Sequence, residues 1–510
     1  MAQTDLLRAK AGGATRGVEG AFQSGALFSG AIGSSVGGGG GGAGGAFGGG
    51  SAIGFSGAGG FDPVAGFSFS WNQSTTPLGI TIVQGVSVVT THTSNYSVSV
   101  GQSLPTGTSF GINFFAARQS TTGVTSIFNP QIPTQMAVGF TQPLLNGFGR
   151  RVNERFIRIA GNEVRIADSK FREKLIATVA QVSTLYWDFV SFEENVEVAR
   201  HSLSLAEKSL SENQKEVALG VLARIDAVQA ASEVARRRED LIVAQARAHD
   251  QQEQLKTAIS KQVDSELAAA EIVATDRLPE PKPDDIFALE AALRLAAKSR
   301  PEIEQADLNI RNQEITIKAT RSGLLPSLNL FATYAPQGLS GNQGAGGRIV
   351  RAGFAESLSQ TLHNTYPDYS LGVSLGIPLR NRAARADLAR TLLEARQLET
   401  KLRQAKNQVE QDVRRAVVAV TEAKAEVEAA GEAVKLAGQM LDGEQEKFRL
   451  GQSDTFKVIQ AQRDLATAEG AEVTAHSNYA KALVQFEQAT GSILERNRIE
   501  ISDATNPRLG

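Results

Sequence analysis

Ala218-Leu219-Gly220 and Arg449-Leu450-Gly451 stand 231 residues apart, and their agreement decides how this chain is read. The same offset of 231 relates Val228-Gln229-Ala230 to Ile459-Gln460-Ala461, so the match runs on past each glycine. Each glycine interrupts sequence that is otherwise suited to helix. Asn162–Leu219 holds 58 residues with neither Gly nor Pro, which is about 87 Å of helix at 1.5 Å per residue. Val221–Leu278 is a second unbroken stretch, closed by Pro279, Pro281 and Pro283. Ala383–Gln445, a break near Gly451 and a further helix to about Thr490 repeat the arrangement. Phe171, Leu175, Val179, Val182, Tyr186, Phe189, Phe192, Val196, Ala199, Leu203, Ala206 and Leu210 form one stripe in the first rod. Their mean spacing is about 3.5 residues, the coiled-coil period. Helices of this length exceed one globular core and must pack side by side as rods.

A different periodicity precedes each pair of rods. Phe67, Phe69 and Trp71 alternate with Ser68 and Ser70; Tyr96, Val98 and Val100 alternate with Ser97 and Ser99. Phe110, Ile112 and Phe114, then Met136, Val138 and Phe140, continue the pattern. Period two with aromatic and β-branched residues on one face predicts strands. The second half has Leu328, Leu330, Ala332 and Tyr334, a Gly-rich loop at 338–347, and Leu371, Val373, Leu375 and Ile377. Val138-Gly139-Phe140-Thr141-Gln142-Pro143 pairs with Val373-Ser374-Leu375-Gly376-Ile377-Pro378, and a helix at roughly Asp285–Ser322 leads the second set. The chain therefore reads as two copies of helix, strand, strand and helical hairpin. Its expected parts are a first-helix remnant (1–11), a Gly-rich low-complexity insert (12–61) and first-repeat strands (62–145). A helical hairpin with linker (146–283), a leading helix (284–323), second-repeat strands (324–380), a second hairpin (381–496) and a tail (497–510) complete it.

Composition narrows the function. Lys+Arg 52 against Asp+Glu 54 gives a net charge of −2, which argues against a nucleic-acid partner. With Cys 0 there is no disulfide scaffold, thiolate metal site or Cys nucleophile. The five histidines, His92, His201, His249, His363 and His476, fall in separate segments without i, i+4 pairing, so neither metal binding nor general-base chemistry is expected. No enzyme activity and no cofactor follow from these residues. No run of 18 or more apolar residues offers a helical membrane span. A β-barrel passes the same test, because alternating strands keep mean hydropathy low, here −0.16. The charged run Arg236-Arg237-Arg238-Glu239-Asp240 reads as a solvated helix face.

The duplicated Leu-Gly tips, the strand ends Gln142-Pro143-Leu144-Leu145 and Ile377-Pro378-Leu379, and the order of rods and strands resemble the TolC family of outer-membrane efflux and secretion channels. The resemblance runs from Asp62 to about Leu494. It implies an α+β membrane protein. A homotrimer would share a 12-stranded β-barrel, four strands per protomer, in outer-membrane lipid, continued by a long α-helical barrel in the periplasm. It also implies a passive export conduit in a tripartite efflux or type I secretion system, with a periplasmic adaptor and an inner-membrane pump as partners. The tips, Leu219, Gly220 and Val221 with Leu450, Gly451, Gln452 and Ser453, would dock the adaptor. Six residues after each glycine come Asp226 and Lys457, with Gln460 beyond; these are the candidate aperture residues. Asp226 keeps the family's acidic type, whereas Lys457 and Gln460 do not, so a purely acidic aperture is not carried over.

Two segments depart from that family. The repeat calls for a long helix before the first strand, of which residues 4–11 supply only an end, and no signal peptide is visible. The expectation is that about 30 or more further residues precede Met1 in the native protein. Strand-like segments at 94–101 and 106–117 have no counterpart in the second half and suggest an enlarged extracellular hairpin. The competing reading is a soluble periplasmic coiled-coil scaffold or adaptor, which leaves the two sets of alternating strands unexplained. A β-barrel autotransporter or adhesin would need contiguous strands, and here rods divide them.

Overall fold

The computed structural model describes residues 2–12, 61–79, 85–124, 126–260, 269–282, 288–345, 348–350 and 353–499. The chain forms two compact units, one from residues 1–167 and 308–399, the other from 168–307 and 400–510. The Gly-rich insert lies almost wholly outside the described residues.

The first unit opens with helix α1 (Ala2–Lys10) and is built on one antiparallel sheet. Four strands come in succession: β1 (Val64–Pro77), β2 (Val88–Ser103), β3 (Ser109–Thr121) and β4 (Phe128–Pro143). Beyond the first rods come β5 (Ser327–Tyr334), β6 (Gln337–Ala345), β7 (Arg348–Val350) and β8 (Tyr369–Gly376). The sheet order is β1-β2-β3-β4-β5-β8, with β6 pairing β4 and β7 off that path. Register explains the alternation in the sequence. One row of partners runs Ala65, Val100, Ile112, Val138, Tyr334, Tyr369 across all six strands. The adjacent row, Val64, Gly101, Gly111, Gly139, Thr333, Ser370, presents mostly small residues to the opposite face. Because side chains alternate strictly along a strand, one face is mainly apolar and the other mainly small and polar, with Arg118 on the first and Phe115 and Phe331 on the second as exceptions.

Three expectations about the strands are corrected here. Residues 94–117 are not an excursion from the sheet; they lie within β2 and β3, between β1 and β4. A sheet path of six strands, eight strands in all among the described residues, replaces the expected four. The Gly-rich segment at 338–347 is largely strand β6, not a loop. Its glycines serve close approach, since a Cβ on Gly338 would overlap the Ser357 carbonyl and one on Gly341 the Pro130 carbonyl. Ser357 belongs to helix α7 (Phe354–Leu362; α2–α6 precede it in the chain), which seats on β4 by its polar side. Thr134 Oγ1 donates to the Ser357 carbonyl (2.9 Å) and lies 2.8 and 2.7 Å from the Ser357 and Thr361 hydroxyls. All three side chains are buried, whereas Phe354 and Leu362 of the same helix are exposed.

The rods follow the repeat. After the short turn α2 (Arg150–Asn153) come α3 (Arg155–Ala218) and α4 (Arg224–Ile259). The second set is α5 (Leu289–Ser299), α6 (Pro301–Ser322), α8 (Arg382–Arg449) and α9 (Thr455–Thr490), ending in α10 (Ile493–Arg496). In the second unit Val409, Val413, Ala416, Val420, Ala423 and Val427 of α8 are buried with Ala475, Tyr479, Ala482, Phe486 and Ala489 of α9, and Ala292 and Ala296 of α5 join them. Alternating steps of three and four are the coiled-coil seam. The small side chains let the helices approach closely.

Helix boundaries differ from expectation at two places. The rod expected to reach Leu278 ends at Ile259, and residues 270–282 form neither helix nor strand. There Leu278 is buried with Val190 and Val473, and its amide donates to Glu194 (3.2 Å), so tertiary contact outweighs helix propensity. The leading helix is two helices, because Pro301 cannot continue a helix but can begin one. The stripe on α3 is only partly covered: Phe189, Val196 and Ala206 are buried, while Phe171 is 53% exposed. The rod also contains an 18-residue window of mean hydropathy 1.2, of which 28% is buried, so the lack of an unbroken apolar run did not exclude an apolar stretch.

Candidate functional site

The two Leu-Gly tips fold alike. Gly220 (φ 78°) and Gly451 (φ 71°) are both left-handed, the conformation that L side chains resist. At the first tip the Val221 amide donates to the Glu216 carbonyl (2.9 Å) and Gly220 to Val217 (3.1 Å). At the second, Gln452 donates to Lys447 (2.8 Å) and Gly451 to Phe448 (3.0 Å). This bonding is the Schellman closure of a helix C-terminus. It turns the chain within a few residues and sets Leu219, Val221, Leu450 and Phe456 outward, all well exposed.

The tips differ in how they are stitched. Asp454 caps α9, accepting from the Lys457 amide (2.9 Å). Ser453 Oγ donates to Glu444 (2.8 Å), which also takes Lys447. Lys447 and then Ser453 hold the Glu444 carboxyl below the usual carboxylate range. The first tip has Ala223 at the corresponding cap, with no side-chain bond.

Asp226 and Lys457 occupy the same third position of α4 and α9. A carboxylate there suits the positive end of the helix dipole; a lysine does not, unless an acidic cap offsets it. Lys457 Nζ lies 4.0 Å from Asp454 Oδ2, and Gln460 Nε2 donates to Asp464 (2.8 Å). Both side chains are exposed and Asp226 is half-buried. Within one chain, therefore, Lys457 and Gln460 are engaged on their own helix rather than with Asp226.

A cluster that the sequence did not reveal lies about two turns further on. Glu233 of α4 is 3% exposed and takes Arg237 Nε (2.9 Å) together with Arg463 of α9, whose Nε sits 3.2 and 3.1 Å from its two oxygens. Burial pushes the Glu233 carboxyl up, but Arg463 and Arg237 outweigh it and hold the group below its usual range. Arg463 is raised in turn by Glu233. The run 236–240, expected to be a solvated face, thus turns Arg237 inward. The only hint in the sequence is that Glu233 and Arg463 lie 230 residues apart, one short of the repeat.

Between α3, α4 and α9 lies a cleft of about 590 Å³, lined by Asp188, Arg237, Asp240, Arg247 and Lys481 among others. Four of its charges form two bridges, Lys481 with Asp188 at 2.9 Å and Arg237 with Asp240 at 3.3 Å. Among the described residues no group of three His, Asp or Glu side chains could hold a metal ion.

Comparison with known proteins agrees with this geometry. The outer-membrane channel OprN superposes with a TM-score of 0.58 at 13% identity, covering 85% of this chain and 82% of that one. A membrane protein from Pseudomonas aeruginosa gives 0.57 at 16%, covering 84% and 82%. The outer membrane protein VceC from Vibrio cholerae gives 0.55 at 14%, covering 84% and 87%. At such identities the likeness is one of fold. A search of curated proteins by sequence finds no match. The profile described as outer membrane efflux protein matches residues 108–261 and 292–492, which takes in β3, β4, β5, β8, both hairpin tips and the rods beside them. With well over half of its length inside that match, and both copies of the repeat included, the chain belongs to the outer membrane efflux protein family.

Proposed function

We propose that three copies of this chain close into one passive conduit whose strands line the outer membrane and whose rods form a tube in the periplasm. The protein is an outer-membrane efflux channel, not a soluble scaffold. The observation that carries the fuller reading is the sheet: an apolar row runs unbroken over six strands, Ala65 to Tyr369, while the other face is mostly small and polar. That pairing suits lipid on one side and water on the other. Resemblance to the family supports the remaining parts. A periplasmic adaptor, carrying an inner-membrane pump, would seat on the exposed tips at Leu219, Gly220, Val221, Leu450, Gly451, Gln452 and Ser453.

Threefold symmetry would bring three Asp226 and three Lys457 to one level of the aperture. Exposed pairs of this kind are worth about 0–1 kcal/mol each. Six such contacts suit a latch that holds a resting tip closed yet yields to an adaptor. Lys457 leaves its own Asp454 at 4.0 Å to make that contact, which keeps the latch weak. Lys457→Asp is expected to raise single-channel conductance in planar bilayers by crowding carboxylates at the tip. Adding Asp226→Lys to the same protein should return it towards wild type. If wild type, single and double variants conduct alike, these residues do not face each other and the latch is wrong.

A further inference from the structure

Among the described residues the six-strand path of the sheet ends in two free edges, β1 and β8, and their directions suit each other. The six strands of the path are antiparallel at every step, so β1 and β8 run in opposite directions. Copies arranged in a ring would therefore continue the antiparallel pattern across each junction. Exposure also points there. On the apolar face, Val98, Ile112 and Val138 of the inner strands are 37–46% exposed, whereas Phe67, Phe69 and Trp71 on β1 and Tyr369, Leu371 and Val373 on β8 are 55–78% exposed. The edge residues lack the cross-strand neighbour that the inner ones have.

We propose that β1 of one copy pairs with β8 of the next, so that three copies of six strands close an eighteen-stranded barrel. This rests on the trimer proposed above and departs from the four strands per copy that the family resemblance implies. The profile match begins at residue 108, so β1 and β2 lie wholly outside the family pattern and would widen the barrel by one hairpin per copy. Diameter grows roughly linearly with strand number, so the mouth would be about 1.5 times that of a twelve-stranded barrel.

The register follows from closure. Strands of a closed barrel tilt by about 35–45°, and a barrel whose shear equals its strand number tilts them about 36°. Six strands per copy then require an offset of about six residues per copy. One hydrogen-bonded row crosses the sheet from Val64 to Ser370. Shifted by that offset, Ser370 meets Ser70 of the next copy, and the eight residues of β8 lie against the first eight of β1. The opposite offset would set β8 before Val64, where β1 has not begun. The chosen offset puts Tyr369 opposite Trp71, Leu371 opposite Phe69 and Val373 opposite Phe67 on the apolar face, and Ser370 opposite Ser70, Gly372 opposite Ser68 and Ser374 opposite Gly66 behind it. Aromatic and β-branched cross-strand pairs are the stabilising kind.

The chain has no cysteine, so disulfides can be introduced without background. Directly opposed residues on paired strands have Cα atoms about 4.5–5.5 Å apart, within disulfide reach. Two full-length variants, Ser70→Cys with Ser370→Cys and Phe69→Cys with Leu371→Cys, would be oxidised in outer-membrane fractions and run on denaturing, non-reducing gels. The expected result is a covalent ladder ending at three chains, lost on reduction and absent from each single-cysteine variant. A third variant, Phe115→Cys with Ser370→Cys, tests closure through β3 at the offset of about four residues that four strands per copy would require, with the β1–β2 hairpin left outside. A ladder from that variant overturns the proposal. So does the lack of a ladder from both β1–β8 variants when native mass spectrometry still finds three chains. A native mass of one chain would overturn the trimer itself, and the pairing with it.

Discussion

Glu233 shows how much one side chain does in the hairpin region. Its carboxylate is nearly inaccessible and joins α4 to α9 through Arg463, with Arg237 completing the cage. Removing it would leave two guanidinium groups facing each other across lost bonds, and hydrogen bonds to charged groups are worth about 1.5–3 kcal/mol. Glu233→Gln is therefore expected to destabilise the rods by about 1.5–3 kcal/mol at neutral pH, read from thermal unfolding by circular dichroism. The pH dependence has a definite sign. The folded pKa lies below the unfolded value of about 4.3, so the stabilisation is complete above that value and is lost as pH falls through the lower folded one. Wild type should lose stability over that acidic window by more than the Gln variant does. Equal losses would mean that the cage contributes nothing.

At the scale of elements, α7 is held by hydroxyl groups rather than by apolar packing. Ser357 and Thr361 meet Thr134 at a place where β6 supplies Gly338, which leaves room for the helix backbone. Gly338→Ala would drive a Cβ into the Ser357 carbonyl, and backbone cannot give way as a flexible side chain can. The variant is expected to lift α7 off β4 and to open residues 353–364 to limited proteolysis, with the rods unaffected. Unchanged cleavage would show that the contact yields without loss. The same element marks a limit of sequence reading. Four of the six residues at 341–346 are glycine or alanine in a segment that reads as a loop, and only the approach of α7 to Gly338 and of Pro130 to Gly341 explains glycine inside a strand.

For the whole molecule, the free edges and the half-covered rod pose one problem. In lipid each unsatisfied backbone group costs several kcal/mol, so an open sheet cannot persist there. The stripe on α3 is likewise left half-covered, with Phe171 more than half exposed. A neighbouring copy in the proposed trimer would answer both. The protein is expected to travel in mild detergent as three chains of 54.1 kDa, with no smaller species that keeps its strand content. A monodisperse single chain with intact strands, by mass photometry and circular dichroism together, would contradict it.

What could be read in the sequence was periodic. The 231-residue repeat, the rods either side of Gly220 and Gly451, and the alternation at Phe67-Ser68-Phe69 are local patterns, set by helix and strand geometry wherever they fold. They were enough for the duplicated architecture and the family. Contacts between distant segments were not legible, because they carry no period. Leu278 ends its rod early by packing with Val190 and Val473, and Arg237 turns inward to reach Glu233. The strands at 94–117 had a readable pattern but no readable neighbours. Alternation says which face a residue takes, while strand order depends on which edges find partners. Only the folded sheet put β1 and β2 in line with β3, β4, β5 and β8, the placement on which the proposed strand count per copy rests.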